Sequence, residues 1–163
     1  MTDWRIDSLV LPDSEACIGL CACPGQSAPL SGDIQKLRDW GARGMVTLLE
    51  DHEFELLGVT SLSEEVEALG MRWWHLPIRD MATPDQDFEV RWRRTGKELR
   101  DLLGDGFSVV LHCRGGLGRT GTIAARLLVE LGSTPALAIE RVRAARPGSI
   151  ETRAQEKYVH DCA

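Results

Sequence analysis

The nine residues His112-Cys113-Arg114-Gly115-Gly116-Leu117-Gly118-Arg119-Thr120 constrain this chain more than any other stretch, because they set a thiol and a guanidinium at opposite ends of a glycine-rich loop. The run before them, Phe107-Ser108-Val109-Val110-Leu111, is β-branched and aromatic and predicts a buried strand over Phe107–His112. After them, Ile123, Leu127, Leu128 and Leu131 recur mostly three or four residues apart, with alanines between, and predict a helix over Thr120–Leu131 that buries one face. The loop therefore joins a strand to a helix N-terminus, where unpaired amides and the positive end of the macrodipole favour a bound anion. A loop of this kind is a phosphate cradle.

Cysteine at the mouth of such a cradle is a candidate nucleophile. A free thiol has a pKa of about 8.5, and the helix N-terminus, the loop amides and the fixed charge of Arg119 all favour its thiolate. Gly115, Gly116 and Gly118 are expected to let the backbone curl around a tetrahedral oxyanion through positive φ angles or close approaches. Arg119 offers a planar fork for two phosphoryl oxygens and does not titrate. Arg114 and Leu117 complete the phosphate-binding loop. Thr120 stands where its hydroxyl can donate to the Cys113 sulfur when that sulfur becomes a leaving group, or serve as an ordinary cap. His112 can favour ionisation of the cysteine or simply bond a backbone group, and is expected to act behind the reacting atoms.

Two-step phosphoryl transfer follows from these parts: the thiolate attacks phosphorus in line and water then hydrolyses the cysteinyl-phosphate. The departing alkoxide or phenoxide needs a proton. Asp80 is the candidate general acid, on a short loop after the apolar stretch Met71–Leu76, at the sheet edge where ligands gather in open α/β sheets. Asp85 competes, but Thr83-Pro84-Asp85-Gln86 reads as a helix start with Thr83 as N-cap, and a carboxylate in the first turn is accounted for by the dipole. Gln155 is a candidate for positioning the hydrolytic water and equally the third helical residue of a capping box begun by Thr152.

Strands are expected around Ile18–Cys21, Met45–Leu49, Met71–Leu76 and Phe107–His112. Helices are expected after Ser31, after Ser63, from Pro84 to Leu103, from Thr120 to Leu131, after Thr134-Pro135 and after Thr152, with Gly41, Gly70 and Gly132 at C-terminal caps. The alternation predicts one α/β domain over residues 1–163, a mostly parallel sheet of four to five strands with helices on both faces. Trp40, Trp73 and Trp74 read as core or half-buried packing, and Trp92 with Arg91, Arg93 and Arg94 as a solvated helix face. Cys17, Cys21 and Cys23 are crowded, yet no second Cys or His pair follows at finger-like spacing, so no metal is expected. Five cysteines, an odd number with one wanted as thiolate, suit a reducing compartment, and without a leader-like or bilayer-spanning run the expected location is cytoplasmic. A net charge of −6 disfavours nucleic acid and anionic membranes as partners.

Three segments together resemble a known family: Pro77-Ile78-Arg79-Asp80 followed by Thr83-Pro84-Asp85, the loop from His112 to Thr120, and Ile150-Glu151-Thr152-Arg153-Ala154-Gln155. They resemble the cysteine-dependent protein phosphatase superfamily, and residues 44–159 are similar in order and content to the kinase-associated branch of the dual-specificity phosphatases. That resemblance implies a protein tyrosine phosphatase-like fold, Cys113 as nucleophile, Arg119 as phosphate binder, Asp80 as general acid, Gln155 as the match to a water-positioning glutamine, and no cofactor. The branch carries glutamine where this chain has Glu151. The partner implied is a phosphorylated protein or peptide acted on by a monomer; the branch's kinase is not carried over, since docking surfaces lie outside the matching motifs. Two other uses of the loop are a phosphatase for a phosphoinositide or RNA 5′-phosphate, and a non-catalytic phosphopeptide-binding module.

Overall fold

Alternate side chains of the strand before the loop face two different cores. Val109 and Leu111 pack with Ile123, Leu127 and Leu99 on one side of the sheet, whereas Val110 packs with Ile34, Leu37 and Val66 on the other. This period of two is what a strand covered on both faces requires. In the computed structural model, which describes residues 3–163, five strands form one sheet: β1 (Asp7–Val10), β2 (Cys17–Cys21), β3 (Ala42–Thr47), β4 (Arg72–His75) and β5 (Ser108–His112), in the order β1-β2-β5-β3-β4. All neighbours are parallel except β1, which pairs antiparallel with β2 at the edge. The central strand is therefore the one that ends in the glycine loop, and the carboxyl ends of β2, β3, β4 and β5 open on the same edge.

The helices α1 (Leu30–Trp40), α2 (Asp51–Leu56) and α3 (Leu62–Ala68) contribute to one core. The other is built by α4 (Gln86–Gly104), α5 (Gly118–Glu130), α6 (Pro135–Ala145) and α7 (Arg153–His160). Caps set several boundaries as the sequence predicts. Thr134 accepts from the Leu137 amide with Pro135 opening α6, and Thr152 with Gln155 forms a complete capping box on α7. Gly41, Gly70 and Gly132 adopt positive φ at or just beyond the helix ends that they were expected to cap.

Four expectations change. Thr83 does not cap α4: Asp85 does, its Oδ1 accepting from the Phe88 amide at 2.9 Å, so the helix begins two residues later than a Thr83 cap would place it. The strand expected at Met45–Leu49 runs instead from Ala42 to Thr47. β1 and α2 were not anticipated; β1 buries only Leu9 and so carries no apolar alternation, and α2 is six residues long with a glutamate at its N-cap. Arg91, Arg93 and Arg94 are solvated, but Trp92 between them is buried on Phe88 and donates Nε1–H to Glu130.

Gly116 fixes how the loop meets the sheet. Its φ is +73°, and a Cβ there would sit 2.4 Å from the carbonyl carbon of Cys21 at the end of β2. A Cβ on Gly118 would meet the Glu151 carboxylate at 2.5 Å and the Gln155 amide at 3.1 Å, whereas Gly115 has open space around it and needs neither device. Gly116→Ala is therefore expected to lose about 2 kcal/mol or more from left-handed strain and the forced backbone shift, and Gly115→Ala to stay within about 0.5 kcal/mol. Urea unfolding of the two variants compares them directly, and equal losses would remove the steric reason for glycine at 116.

Candidate active site

The Cys113 sulfur lies just past the end of β5 and is almost fully buried. It accepts two hydrogen bonds from the loop and helix that follow it, from the Gly116 amide at 3.3 Å and the Thr120 hydroxyl at 3.0 Å. Both donors favour negative charge on sulfur, which a hydrogen bond to the charged form stabilises. The loop is held open from behind: Arg146, at the end of α6, donates Nε–H to the Gly116 carbonyl at 2.9 Å and Nη2–H to that of Gly115 at 3.0 Å, and its Nη1 pairs with Asp7 at 2.8 Å. The Arg114 carbonyl accepts from the Cys23 amide at 3.0 Å, and that of Leu117 accepts from Gly121 and Ile150. With these carbonyls engaged away from the sulfur, the loop turns the Gly116 amide toward it, as in an anion-binding nest.

Arg119, in the first turn of α5, is 1% exposed. Its Nη1 and Nη2 donate to the two oxygens of Glu53, at 2.7 and 3.0 Å, and Nη1 also reaches the carbonyls of Ile78 at 3.0 Å and Leu48 at 3.4 Å. Asp80 Oδ1 lies 3.3 Å from Nη2. Burial works against the guanidinium charge, but the Glu53 hydrogen bonds and the neighbouring Cys113 and Asp80 outweigh it, so the group is held more firmly charged than a free arginine. Among the described residues its Nε–H, although buried, has no hydrogen-bond partner. An orphaned buried donor costs about 1–3 kcal/mol, and an oxyanion in the loop would satisfy it.

Glu53 was not singled out in the sequence. It sits 66 positions from Arg119, and its only local sign is the pairing with Glu50 in the α2 capping box. Burial raises its carboxyl, but the bonds from Arg119 and the Glu50 amide prevail and the net direction is down.

The structure brings Asp80 to Arg119 and gives Asp85 the capping duty described above. Asp80 is half exposed, and Met81 beside it holds φ at +64°, a left-handed conformation that a residue with a Cβ rarely adopts. Gln155 is wholly buried and spans two segments: Oε1 accepts from the Glu151 and Thr152 amides, and Nε2 donates to the Ala82 carbonyl at 3.2 Å in the Asp80 loop. The capping role expected of it is present, and so is proximity to the loop through Gly118.

His112 is neutral. Burial first, and then the Arg119 charge, lower its pKa to about 4, against the opposing effect of the Cys113 carbonyl. Its Nδ1 faces that carbonyl at 3.1 Å, which assigns the proton to Nδ1 and leaves Nε2 to accept from Thr47 Oγ1 at 2.7 Å; Trp73 in turn donates to Thr47. His112 thus fixes the backbone of Cys113 and lends the sulfur no positive charge. Cys21 and Cys23 are buried thiols; burial pushes Cys23 up to about 12 and Cys21 well above its ordinary value. Among the described residues no cluster of His, Cys, Asp or Glu is placed to hold a metal, and no helix is long and apolar enough to cross a membrane.

The family model described as polymorphic toxin system, DSP-PTPase phosphatase matches residues 19–133. The chain belongs to the cysteine-based tyrosine and dual-specificity phosphatase family. It is 31% identical over 154 residues to Cyclin-dependent kinase inhibitor 3 of Homo sapiens, covering 88% of this chain and 70% of that protein. The crystal structure of a kinase associated phosphatase whose catalytic-site cysteine is replaced by serine superposes with a TM-score of 0.86 at 28% identity, covering 99% of this chain and 94% of that one. PTPMT1 shares the fold, with a TM-score of 0.76 at 21% identity over 97% of this chain and 93% of its own. Membership makes the chain a phosphatase-family hydrolase, with the α/β fold its sequence predicts.

Two outcomes follow from this phosphatase geometry. Glu53→Ala leaves the buried Arg119 with only the half-exposed Asp80 as a counter-charge and is expected to cost about 3 kcal/mol, whereas the double change Glu53→Leu with Arg119→Met replaces the pair by apolar groups and is expected to regain most of that loss. In thermal melts the parent should be stabilised by inorganic phosphate and the double variant should not; equal protection of both would exclude Arg119 as the phosphate ligand. The second concerns pH. The unfolded chain protonates His112 near 6.5 and the folded chain only near 4, so stability is full above 6.5 and declines by about 3 kcal/mol toward pH 4, at about 1.4 kcal/mol per unit. Glu53, shifted downward, adds its own loss only below its unfolded value of about 4.3. His112→Gln should flatten the decline between pH 6.5 and 4 in denaturant titrations; an unchanged slope would show that His112 is not its source.

Proposed function

We propose that this chain hydrolyses phosphotyrosine, phosphoserine or phosphothreonine on protein substrates through a cysteinyl-phosphate. The observation that carries the reading is the meeting of Cys113, whose sulfur accepts two hydrogen bonds, with Arg119, whose Nε–H has no protein partner beside the same loop. In the first step the Cys113 thiolate forms the S–P bond while the P–O bond to the substrate breaks. Asp80, at 3.3 Å from Arg119, delivers its proton to the departing oxygen. Arg119 and the amides of Gly115, Gly116 and Gly118 hold the phosphoryl oxygens as charge shifts onto them, the arrangement of donors that lowers such barriers most. In the second step water forms the new P–O bond, gives its proton to the Asp80 carboxylate, and the S–P bond breaks. Thr120 stabilises the returning thiolate through the hydrogen bond it already makes. Gln155 borders Gly118 and carries the Asp80 loop through Ala82, which suits it to hold the water and the acid in register.

A binding module without chemistry has no need of a thiolate, nor of a carboxyl set beside the arginine. The net charge of −6 also favours peptide-borne phosphate over RNA or inositol lipid. Cys113→Ser is expected to abolish turnover of an aryl phosphate while inorganic phosphate still binds. Asp80→Asn is expected to lower kcat by about 10²–10⁴-fold and to remove the alkaline limb of the pH profile, since only a protonated acid serves the leaving group. A panel of phosphopeptides, inositol phospholipids and 5′-phosphorylated RNA assigns the substrate; hydrolysis of lipid or RNA alone would overturn the protein-substrate reading, and unaltered turnover by Cys113→Ser would overturn the mechanism.

A further inference from the structure

The phosphate loop carries on its rim a carboxylate that the mechanism above does not use. Glu151 is exposed, and among the described residues its side chain makes no hydrogen bond or ion pair. One of its oxygens lies against Gly118, 2.5 Å from where a Cβ on that residue would sit, and the Gln155 amide nitrogen lies 3.1 Å from the same point. The backbone holds the carboxylate there. The Glu151 amide donates to Gln155 Oε1 at 2.9 Å, the Ile150 amide donates to the Leu117 carbonyl of the loop at 3.1 Å, and Arg143 donates to the carbonyls of Ser149 and Ile150, both at 3.0 Å. Ile150 turns through a φ of +62°, so left-handed strain is accepted at the residue that delivers Glu151 to the loop. The cations around the loop are largely matched already: Arg119 by Glu53 and Arg146 by Asp7, while Arg114 is exposed to solvent and Asp80 borders Arg119 at 3.3 Å. Helix α5 starts at Gly118 with no side-chain cap and no acid in its first turn, and the Glu151 carboxylate stands at that uncapped end, where the dipole favours it.

We propose that Glu151 makes the site select oxyanions that keep a proton, so that a phosphomonoester enters as its monoanion and sulfate or a sulfate ester is refused. The assignment rests on the phosphatase reading above and adds to it the charge form of the phosphoryl group that the site takes. An oxyanion in the cradle shares the start of α5 with Glu151. Where all its oxygens are unprotonated, an acceptor faces an acceptor and two negative charges meet. Where one oxygen carries a proton, its P–O–H donates to the carboxylate in a charge-assisted hydrogen bond. An ionised carboxylate can only accept, so it offers nothing to an anion without a donor. A site that hydrogen-bonds a hydroxyl rejects the analogue lacking it far more strongly than a difference in shape would, and a repulsive element adds to that discrimination. Gln155, one of whose N–H groups is free, borders the same point and provides for the oxygens that carry no proton.

The test uses two tetrahedral oxyanions of similar size. Inorganic phosphate retains at least one proton near neutral pH and sulfate retains none. In calorimetric titrations at fixed ionic strength, phosphate is expected to bind the parent about tenfold more tightly than sulfate. Glu151→Gln gives the rim an N–H donor and should bring the two affinities within about twofold, chiefly by tightening sulfate. Glu151→Ala, which removes the acceptor without adding a donor, should narrow the gap as well. A merely structural role for Glu151 would weaken both ions together and leave their ratio unchanged. Equal binding of the two ions by the parent, or a preference for phosphate that survives both substitutions, would overturn the assignment and leave the phosphatase reading standing. Turnover of p-nitrophenyl phosphate tests that reading separately: if the parent hydrolyses no phosphoester yet prefers phosphate and loses the preference in Glu151→Gln, the role of Glu151 stands and hydrolysis does not. Binding of neither ion by the parent would overturn both.

Discussion

Withdrawing the Arg119 guanidinium from water costs several kcal/mol, and the chain offsets this with a carboxylate and two carbonyls drawn from three distant segments. Glu53 comes from α2, Leu48 from the end of β3 and Ile78 from the loop after β4, with Asp80 following two residues later. The arginine itself opens α5, so one side chain gathers the phosphate loop, the acid loop and the short helix that precedes it in sequence. An apolar cluster of the same volume would fold as well or better. What the ion pair adds is a guanidinium whose Nη groups are committed to the protein and whose Nε–H is left for a ligand, in an orientation that cannot drift.

The loop receives the same treatment from the other side. An amide faces an anion only if the carbonyl of the same peptide region is occupied elsewhere, and Arg146 supplies that for Gly115 and Gly116. Packing of Gly116 on the Cys21–Ala22 peptide then sets the distance between loop and sheet. The sulfur therefore takes its hydrogen bonds from an amide and a hydroxyl, and not from a charged histidine. His112, neutral and bonded on both ring nitrogens, ties the start of the loop to Thr47 of the neighbouring strand, its register partner across β3 and β5. A cationic imidazole there would repel Arg119, the second effect that lowers its pKa.

How much of this was legible depends on range. Strand β5, the loop and α5 follow from a local apolar run, three glycines and a helical period, and the caps at Thr134 and Thr152 from side chains within one turn of the amides they bind. The place of Asp80 beside Arg119 was legible because its loop follows a strand, and the place of Asp85 at a helix start was legible too, although the sequence pattern names Thr83 as the cap. Glu53 and Arg146 were missed for one reason. Each acts across the fold, 66 and 30 positions from its partner, and nothing in the four residues on either side of them announces a buried guanidinium or a row of carbonyls. β1 escaped because an edge strand with one buried residue has no pattern to read.

Strain is placed where these long-range contacts can hold it. Met81 and Ile150 both sit at positive φ, at +64° and +62°, and each such residue gives up about 1–2 kcal/mol relative to ordinary backbone. The residues that follow them, Ala82 and Glu151, are bonded by the two ends of one amide, Gln155. Both lone pairs of its oxygen are taken, by Glu151 and Thr152, and one of its two N–H groups by Ala82. One donor remains. Gln155 in this arrangement can orient a water by donating to it but has no lone pair left to accept from it, so it does not itself serve as a base. Asp80 sits on the same bridge, two residues before the carbonyl that Gln155 holds, so a single buried side chain controls the position of the carboxyl beside Arg119.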